Sequence, residues 1–258
     1  MICLTFDVEE FDTPEEYGHS MSFEEKISTS TTGLNRVMEI IDINEIRCTF
    51  FTTATYAQTE PKLIKRISEQ HEIASHTFYH SSFKNEDLLS SKLALEEITG
   101  KQVNGFRMPR LAPVSNLEIL KAGYTYNSSL NPTWIPGRYN NLKKPRTSFY
   151  EEGLLQIPTS VTPIFRIPLF WLSFKNFPMW WLKKMMLKTL KHDGCLSLYF
   201  HPWEFIDTTN YGLPKFMTKI SGEAMLKRLE ETIHLLKNEG EFITMNELAS
   251  NYSKENKH

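Results

Sequence analysis

Glu72-Ile-Ala-Ser-His-Thr-Phe-Tyr-His80 is a short apolar, strand-like piece that runs straight into two imidazoles, His76 and His80. Positions i and i+4 share one side of a helical turn, so a helix starting here would turn both rings toward one metal ion. Neutral imidazole suits zinc and other late first-row metals. The spacing alone is weak, because two surface histidines at a helix start read the same way. A divalent site with two histidines normally adds a carboxylate. The first strand-like run, residues 2–6, supplies candidates, since Asp7-Val8-Glu9-Glu10-Phe11-Asp12 follows it directly. A buried strand ending in carboxylates carries them at its C-terminal end, where parallel α/β folds keep their chemistry.

Working outward, the same unit repeats. Residues 13–32 read as a long polar loop. Leu34, Val37, Met38 and Ile41 then recur at helical spacing up to about Asn44. Residues 47–52 form a second strand, and Pro61 starts a helix with Leu63, Ile64 and Ile67 on its buried side. After the histidines, a leucine-rich helix closes at Gly100, residues 103–110 form a fourth strand, and a short helix ends before Gly123. Strand-loop-helix repetition argues for parallel strands with helices outside. Residues 126–168, rich in Pro, Asn, Gly and Tyr and with only short strand signals at 154–157 and 161–162, read as an irregular insert rather than a second domain. A helix from Pro178, a strand at 195–200, a helix at 221–238, a short strand at 242–243 and a helix at 245–252 complete the pattern. We expect one domain over 1–252 and a frayed tail over 253–258.

The chain has 258 residues with a formal net charge of −2, which argues against a nucleic-acid surface. Cys3, Cys48 and Cys195 are scattered and odd in number, which fits buried thiols in a reducing compartment rather than a disulfide framework or metal ligands. Residues 1–6 read as a strand and not as a secretory signal, so the expected location is cytoplasmic.

Four strand ends now carry functional groups: Asp7 and Glu9, His76 and His80, Arg107, and His201. Parallel strands in a closed sheet would bring these ends to one face. Each residue alone has an ordinary structural role open to it, and their joint placement favours a site.

Thr5-Phe-Asp7, Ser75-His-Thr-Phe-Tyr-His80, Phe106-Arg-Met-Pro109 and Leu198-Tyr-Phe-His201 resemble the successive motifs of the polysaccharide deacetylases, carbohydrate esterase family four. The order of motifs matches over nearly the whole chain, and Tyr199-Phe-His-Pro-Trp-Glu204 further resembles a subgroup linked to exopolysaccharide synthesis. The resemblance implies an α/β fold, a distorted (β/α) barrel of about seven strands. It implies Asp7 as general base, His76 and His80 as ligands of a divalent metal (zinc by default), Arg107 as the partner of the base, and His201 as general acid. The third ligand departs from the best-known pattern, because Val8 follows Asp7 where an aspartate ligand is common. Glu9 is the candidate, since positions 7 and 9 of a strand point to the same side, with Glu10 and Asp12 open as alternatives. A backbone N–H near 109–111 would complete an oxyanion site.

The implied activity is hydrolysis of an N-acetyl group from a sugar of the N-acetylglucosamine type, in a glycan or a lipid-linked precursor. Rival readings are an amidohydrolase on a non-sugar C–N bond and an inactive carbohydrate-binding relative. Residues 163–190 add a further expectation. Trp171, Trp180 and Trp181 followed by Lys183, Lys184 and Lys188 suit a peripheral contact with the inner membrane face, although packing on the barrel is the plainer reading.

Overall fold

The computed structural model describes residues 1–255. Its centre is an eight-stranded sheet in the order β10-β1-β2-β3-β4-β5-β9-β8. β1 (Ile2–Val8), β2 (Thr49–Thr52), β3 (Glu72–Ser75), β4 (Gly105–Phe106) and β5 (Tyr126–Asn127) pair in parallel, each with the next. β6 (Trp134–Ile135) and β7 (Tyr139–Asn140) form a separate hairpin. β8 (Phe149–Glu151) is the one antiparallel strand of the large sheet, beside β9 (Leu154–Gln156), and β10 (Leu196–Phe200) pairs with β1. The sheet curls until its ends approach. Past β9 the chain reaches β10, where the Ser160 N–H donates to the Ser197 carbonyl at 2.9 Å and the Ser197 N–H to Ser160 Oγ at 2.8 Å. The architecture is the expected distorted α/β barrel, with eight strands instead of seven because β8 adds a hairpin arm.

The sequence alternation along β1 sorts its side chains between two cores. Ile2, Leu4, Phe6 and Val8 face the helical layer, while Cys3 joins the barrel interior with Phe51, Ala74 and Tyr126. Strands buried on both faces read as continuous apolar runs, as this one does. The interior polar positions, Thr5 and Asp7, therefore needed partners inside the barrel.

Helices α1 (Phe23–Asn44), α2 (Ala54–Thr59), α3 (Pro61–Ser68), α4 (Glu86–Thr99) and α5 (Asn116–Lys121) follow the first four strands. α6 (Trp171–Asn176), α7 (Met179–Asp193), α8 (Lys215–Thr218), α9 (Glu223–Lys237) and α10 (Met245–Glu255) complete the set. α1 begins ten residues earlier than the loop reading of 13–32 allowed. Ser22 caps it by accepting the Glu25 N–H at 3.1 Å, and Ser-x-x-Glu is a start signal. Gly33 on α1 permits a close crossing, since a Cβ there would lie 1.9 Å from the Pro202 carbonyl oxygen.

One further expectation changes. Residues 126–168 are not only an insert, because they build three strands of the main sheet, β5, β8 and β9. Their strands are two or three residues long, too short to show a period of two. α10 includes residues 253–255 of the expected tail; the remainder of that tail lies outside the described residues. Cys3 and Cys48 are buried as expected, while Cys195 is half-buried. No helix among the described residues is long and apolar enough to cross a membrane.

Candidate active site

The C-terminal ends of β1, β3, β4 and β10 meet at one mouth. There a cavity of about 360 Å³ is lined by Asp7, Glu9, His80, Tyr139, Trp171 and His201, among others. A larger hollow of about 560 Å³, beside α1 and α3, is lined by Asp42, Glu45, Arg66 and His71 and shares no residue with these strand ends.

Glu9, His76 and His80 form a buried cluster whose candidate ligand atoms lie within 4.8 Å of one another. Glu9 Oε2 sits 3.2 Å from His76 Nε2 and 3.1 Å from His80 Nε2. The histidines are not on a helix, as their spacing suggested, but on the loop after β3. Thr77 between them takes a left-handed φ of 67°, and its carbonyl accepts the Ala54 N–H at the start of α2. That turn, rather than a helical one, brings the two rings to 5.8 Å.

Each ring is oriented from behind. His76 Nδ1–H donates to the Arg107 carbonyl at 2.8 Å, and His80 Nδ1–H to Asp12 Oδ1 at 2.7 Å. Both Nε2 atoms therefore carry their lone pairs toward Glu9. Metal-bound histidines nearly always donate the other ring N–H to a carboxylate or carbonyl in this way, so the donor set fits a divalent ion. Asp12 orients His80 and does not join the cluster. Glu10 turns away to accept from Thr53 Oγ1 at 2.7 Å. Of the three acids proposed from sequence, only Glu9 converges with the histidines.

Burial pushes the Glu9 carboxyl up, but the His80 and His201 imidazoles and the His76 contact outweigh it and hold it well below the usual carboxylate range. Burial opposes the charged form of His80, yet Glu9 and Asp12 raise it to about 9. A cation belongs in this pocket, and a metal would take the place of that proton.

Asp7 and Arg107 stand beside the cluster. Arg107 Nη1 donates to Asp7 Oδ1 at 2.6 Å and to Thr5 Oγ1 at 2.9 Å, and Nη2 donates to Ser128 Oγ at 3.0 Å. The guanidinium also lies 3.9 Å from the centre of the Phe51 ring. His201 Nε2 lies 4.0 Å from Asp7 Oδ2, the oxygen Arg107 leaves open. His201 Nδ1–H donates to Glu204 Oε1 at 2.8 Å. Burial lowers the His201 pKa, and the Glu9, Glu204 and Asp7 carboxylates more than offset it, for a net rise.

Three roles escaped the sequence reading, one of them that of Asp12, which the sequence presents as an alternative ligand. Trp203 Nε1–H donates to Glu9 Oε1 at 3.2 Å, which leaves Oε2 for the histidines, and its ring stacks on His201 at 5.0 Å. Glu204 fixes His201, and Asp12 fixes His80. Trp203 and Glu204 follow His201 by two and three residues, so the tight turn after Pro202 was the available signal. Of the backbone groups at 109–111, Pro109 has no N–H and the Leu111 N–H closes the turn onto the Met108 carbonyl at 3.0 Å, which leaves the Arg110 N–H as the candidate donor.

Residues 1–126 match the polysaccharide deacetylase family model, and residues 128–250 match a domain of unknown function (DUF3473). Asp7, Glu9, both clustered histidines and Arg107 fall in the first region and His201 in the second, so the candidate site spans both. Among curated proteins, the peptidoglycan-N-acetylmuramic acid deacetylase PdaA of Bacillus subtilis (strain 168) is 32% identical over 82 residues, 29% of this chain and 31% of that protein's length. Among solved structures, a probable polysaccharide deacetylase from Pseudomonas aeruginosa PAO1 matches with a TM-score of 0.73 at 16% identity, covering 100% of this chain and 92% of that one. Puue allantoinase matches with a TM-score of 0.70 at 17% identity, covering 100% and 91%. At such identities these likenesses show the fold alone. The polysaccharide deacetylase family model thus matches the N-terminal part of the chain, 126 of its 258 residues, which carries Asp7, Glu9, His76, His80 and Arg107.

Proposed function

We propose that the protein is a metal-dependent carbohydrate N-deacetylase that removes the acetyl group from an N-acetylated sugar of a glycan or glycan precursor, with zinc as the ion. One observation carries the reading: Glu9 Oε2 and the Nε2 atoms of His76 and His80 converge while both Nδ1 atoms are tied to acceptors behind.

A divalent ion held by Glu9, His76 and His80 would polarise the acetamide carbonyl and bring the pKa of a water down toward about 7. Asp7 is the base. Its Oδ1 is held by Arg107, and Oδ2 is open to accept a proton from the attacking water. His201 is the acid. Glu204 fixes its Nδ1–H, so the Nε2 proton is the one available to the departing amine nitrogen. Water adds to the acetyl carbon, the C–N bond breaks, and acetate and a free amine leave. Trp171, Tyr199 and Trp203 give the cavity apolar faces on which a sugar ring can lie.

The test is release of acetate and appearance of free amine from a panel of N-acetylated oligosaccharides and lipid-linked saccharides, with allantoin as a non-sugar comparison. Stoichiometric acetate and amine from a sugar is the expected result. Turnover of the ureide and of no sugar would overturn the substrate class while keeping the hydrolytic reading.

A further inference from the structure

Residues 119–192 hold eleven lysines and arginines against two glutamates, in a chain whose net charge is −2. That segment also carries the largest exposed apolar side chains near the site. Ile164 and Phe165 are 69% and 79% exposed at the tip of a turn, and Trp134 is 58% exposed on the β6–β7 hairpin.

These two loops are tied together. Val161 bridges to Pro168 at the base of the turn, and the Thr162 N–H donates to the Ile167 carbonyl at 2.9 Å. Arg166 closes the turn in a left-handed conformation, φ 51°. Its Nη1 donates to the Pro132 and Lys144 carbonyls at 3.1 and 2.8 Å, and its own carbonyl accepts from Thr133 Oγ1 at 2.6 Å. The tip is therefore braced from below while its apolar side chains stay in water. The hairpin that braces it also walls the active-site cavity, through Ile135, Arg138 and Tyr139.

Farther along the aromatic-basic stretch, Trp180 is also 69% exposed, but its neighbours are engaged. Trp181 stacks on Phe177 at 4.5 Å, Trp171 packs on Trp203, and Lys183 pairs with Glu231 at 2.8 Å. Lys175 is buried and donates to the Ile220 carbonyl. Within 163–190, the tip at Ile164 and Phe165 is the part braced on the hairpin that walls the cavity.

We propose that Ile164, Phe165 and Trp134 form a wedge that inserts into an anionic lipid bilayer, with the exposed cations Arg138 and Lys143 on the headgroups. Arg138 and Lys143 have no ion-pair partner among the described residues. Tryptophan favours the membrane–water interface, and basic residues are drawn to anionic headgroups. An isoleucine beside a phenylalanine at a convex tip suits the acyl boundary better than a glycan, which stacks on flat aromatic faces. The wedge would set the cavity mouth against the membrane surface, where a lipid-anchored saccharide presents its sugar.

The experiment is co-sedimentation of the full chain with vesicles of phosphatidylcholine alone or with phosphatidylserine, at low and high salt. The wild type should partition onto serine-containing vesicles at low salt and leave them as salt rises. Ile164→Ser/Phe165→Ser should lower partitioning by about tenfold or more, and Arg138→Glu/Lys143→Glu likewise. Trp134→Ser provides a second apolar variant should the tip variant lose its melting transition. Three outcomes overturn the proposal: wild type remaining in the supernatant on anionic vesicles at low salt, apolar variants that bind as well as wild type, or light scattering that shows a tip-dependent dimer without lipid. None of these bears on acetate release from a soluble oligosaccharide, so the deacetylase reading stands or falls separately.

Discussion

Asp7 Oδ1 lies 2.6 Å from Arg107 Nη1 in a buried pair, with the other Asp7 oxygen facing the cavity. The guanidinium is further held by Thr5, Ser128 and the Phe51 ring. Removing one partner leaves a buried charge without compensation, which typically costs about 3–5 kcal/mol. Arg107→Ala should therefore lose stability on that scale in urea unfolding as well as activity. A fully stable Arg107→Ala protein would show that the pair does not organise the barrel interior.

Asp7→Asn separates the base from the structural partner. The amide oxygen still accepts from Arg107, so folding and ion content should persist while turnover falls by about 10²–10⁴-fold. His201→Ala should fall by a similar factor. The check is kcat together with ion content for each variant, and full turnover in either contradicts its assigned role.

Glu204→Gln tests the support behind His201. A glutamine oxygen still accepts the two N–H groups of His201 that Glu204 Oε1 now receives, but the charge is gone. The acid form of His201 is favoured by Glu9, Glu204 and Asp7 against the opposing effect of burial. Taking away one carboxylate lowers that pKa, so the protonated acid is lost at a lower pH. The alkaline limb of the kcat–pH profile should shift to lower pH. An unmoved limb would reduce Glu204 to a packing role.

His76→Ala should abolish stoichiometric ion binding, measured by elemental analysis. An ion bound only by the folded chain adds about 2.7 kcal/mol at a hundredfold excess over its Kd. Chelation should accordingly lower the Tm of the wild type and leave that of His76→Ala unchanged.

Gly33→Ala probes the packing that carries His201. The new Cβ would meet the Pro202 carbonyl at 1.9 Å, a backbone atom that has no flexible end to move aside. Overpacking of this kind costs about 1–3 kcal/mol, and the displaced turn should take Trp203 and His201 out of register. Reduced Tm with reduced kcat is the expected result.

The sequence was most legible where one physical rule governed. Apolar runs ending in Asp7, His76, Arg107 and His201 located the strand ends, and strand alternation picked Glu9 over Glu10. The loop geometry at His76–His80 was hidden, because a non-glycine left-handed residue such as Thr77 has no sequence signature. β5 and β8 were hard to read because two- and three-residue strands carry no measurable period, whereas the apolar signal at 154–157 marked β9. The roles of Trp203, Glu204 and Asp12 were hidden for another reason: they are hydrogen bonds to other site residues, which appear only when the barrel brings them together. The aromatic-basic stretch reads from composition as either barrel packing or surface, and the fold divides it: Phe174 and Lys175 are buried, while Ile164, Phe165 and Trp180 stay exposed.

The most direct measurement is acetate released from an N-acetylated oligosaccharide by chelated protein as one divalent ion is titrated back, for wild type and Asp7→Asn. Wild-type activity should rise from near zero and level off at one ion per chain, while Asp7→Asn takes up the ion and releases almost no acetate. Acetate release by ion-free wild type, or undiminished release by Asp7→Asn, would contradict the account.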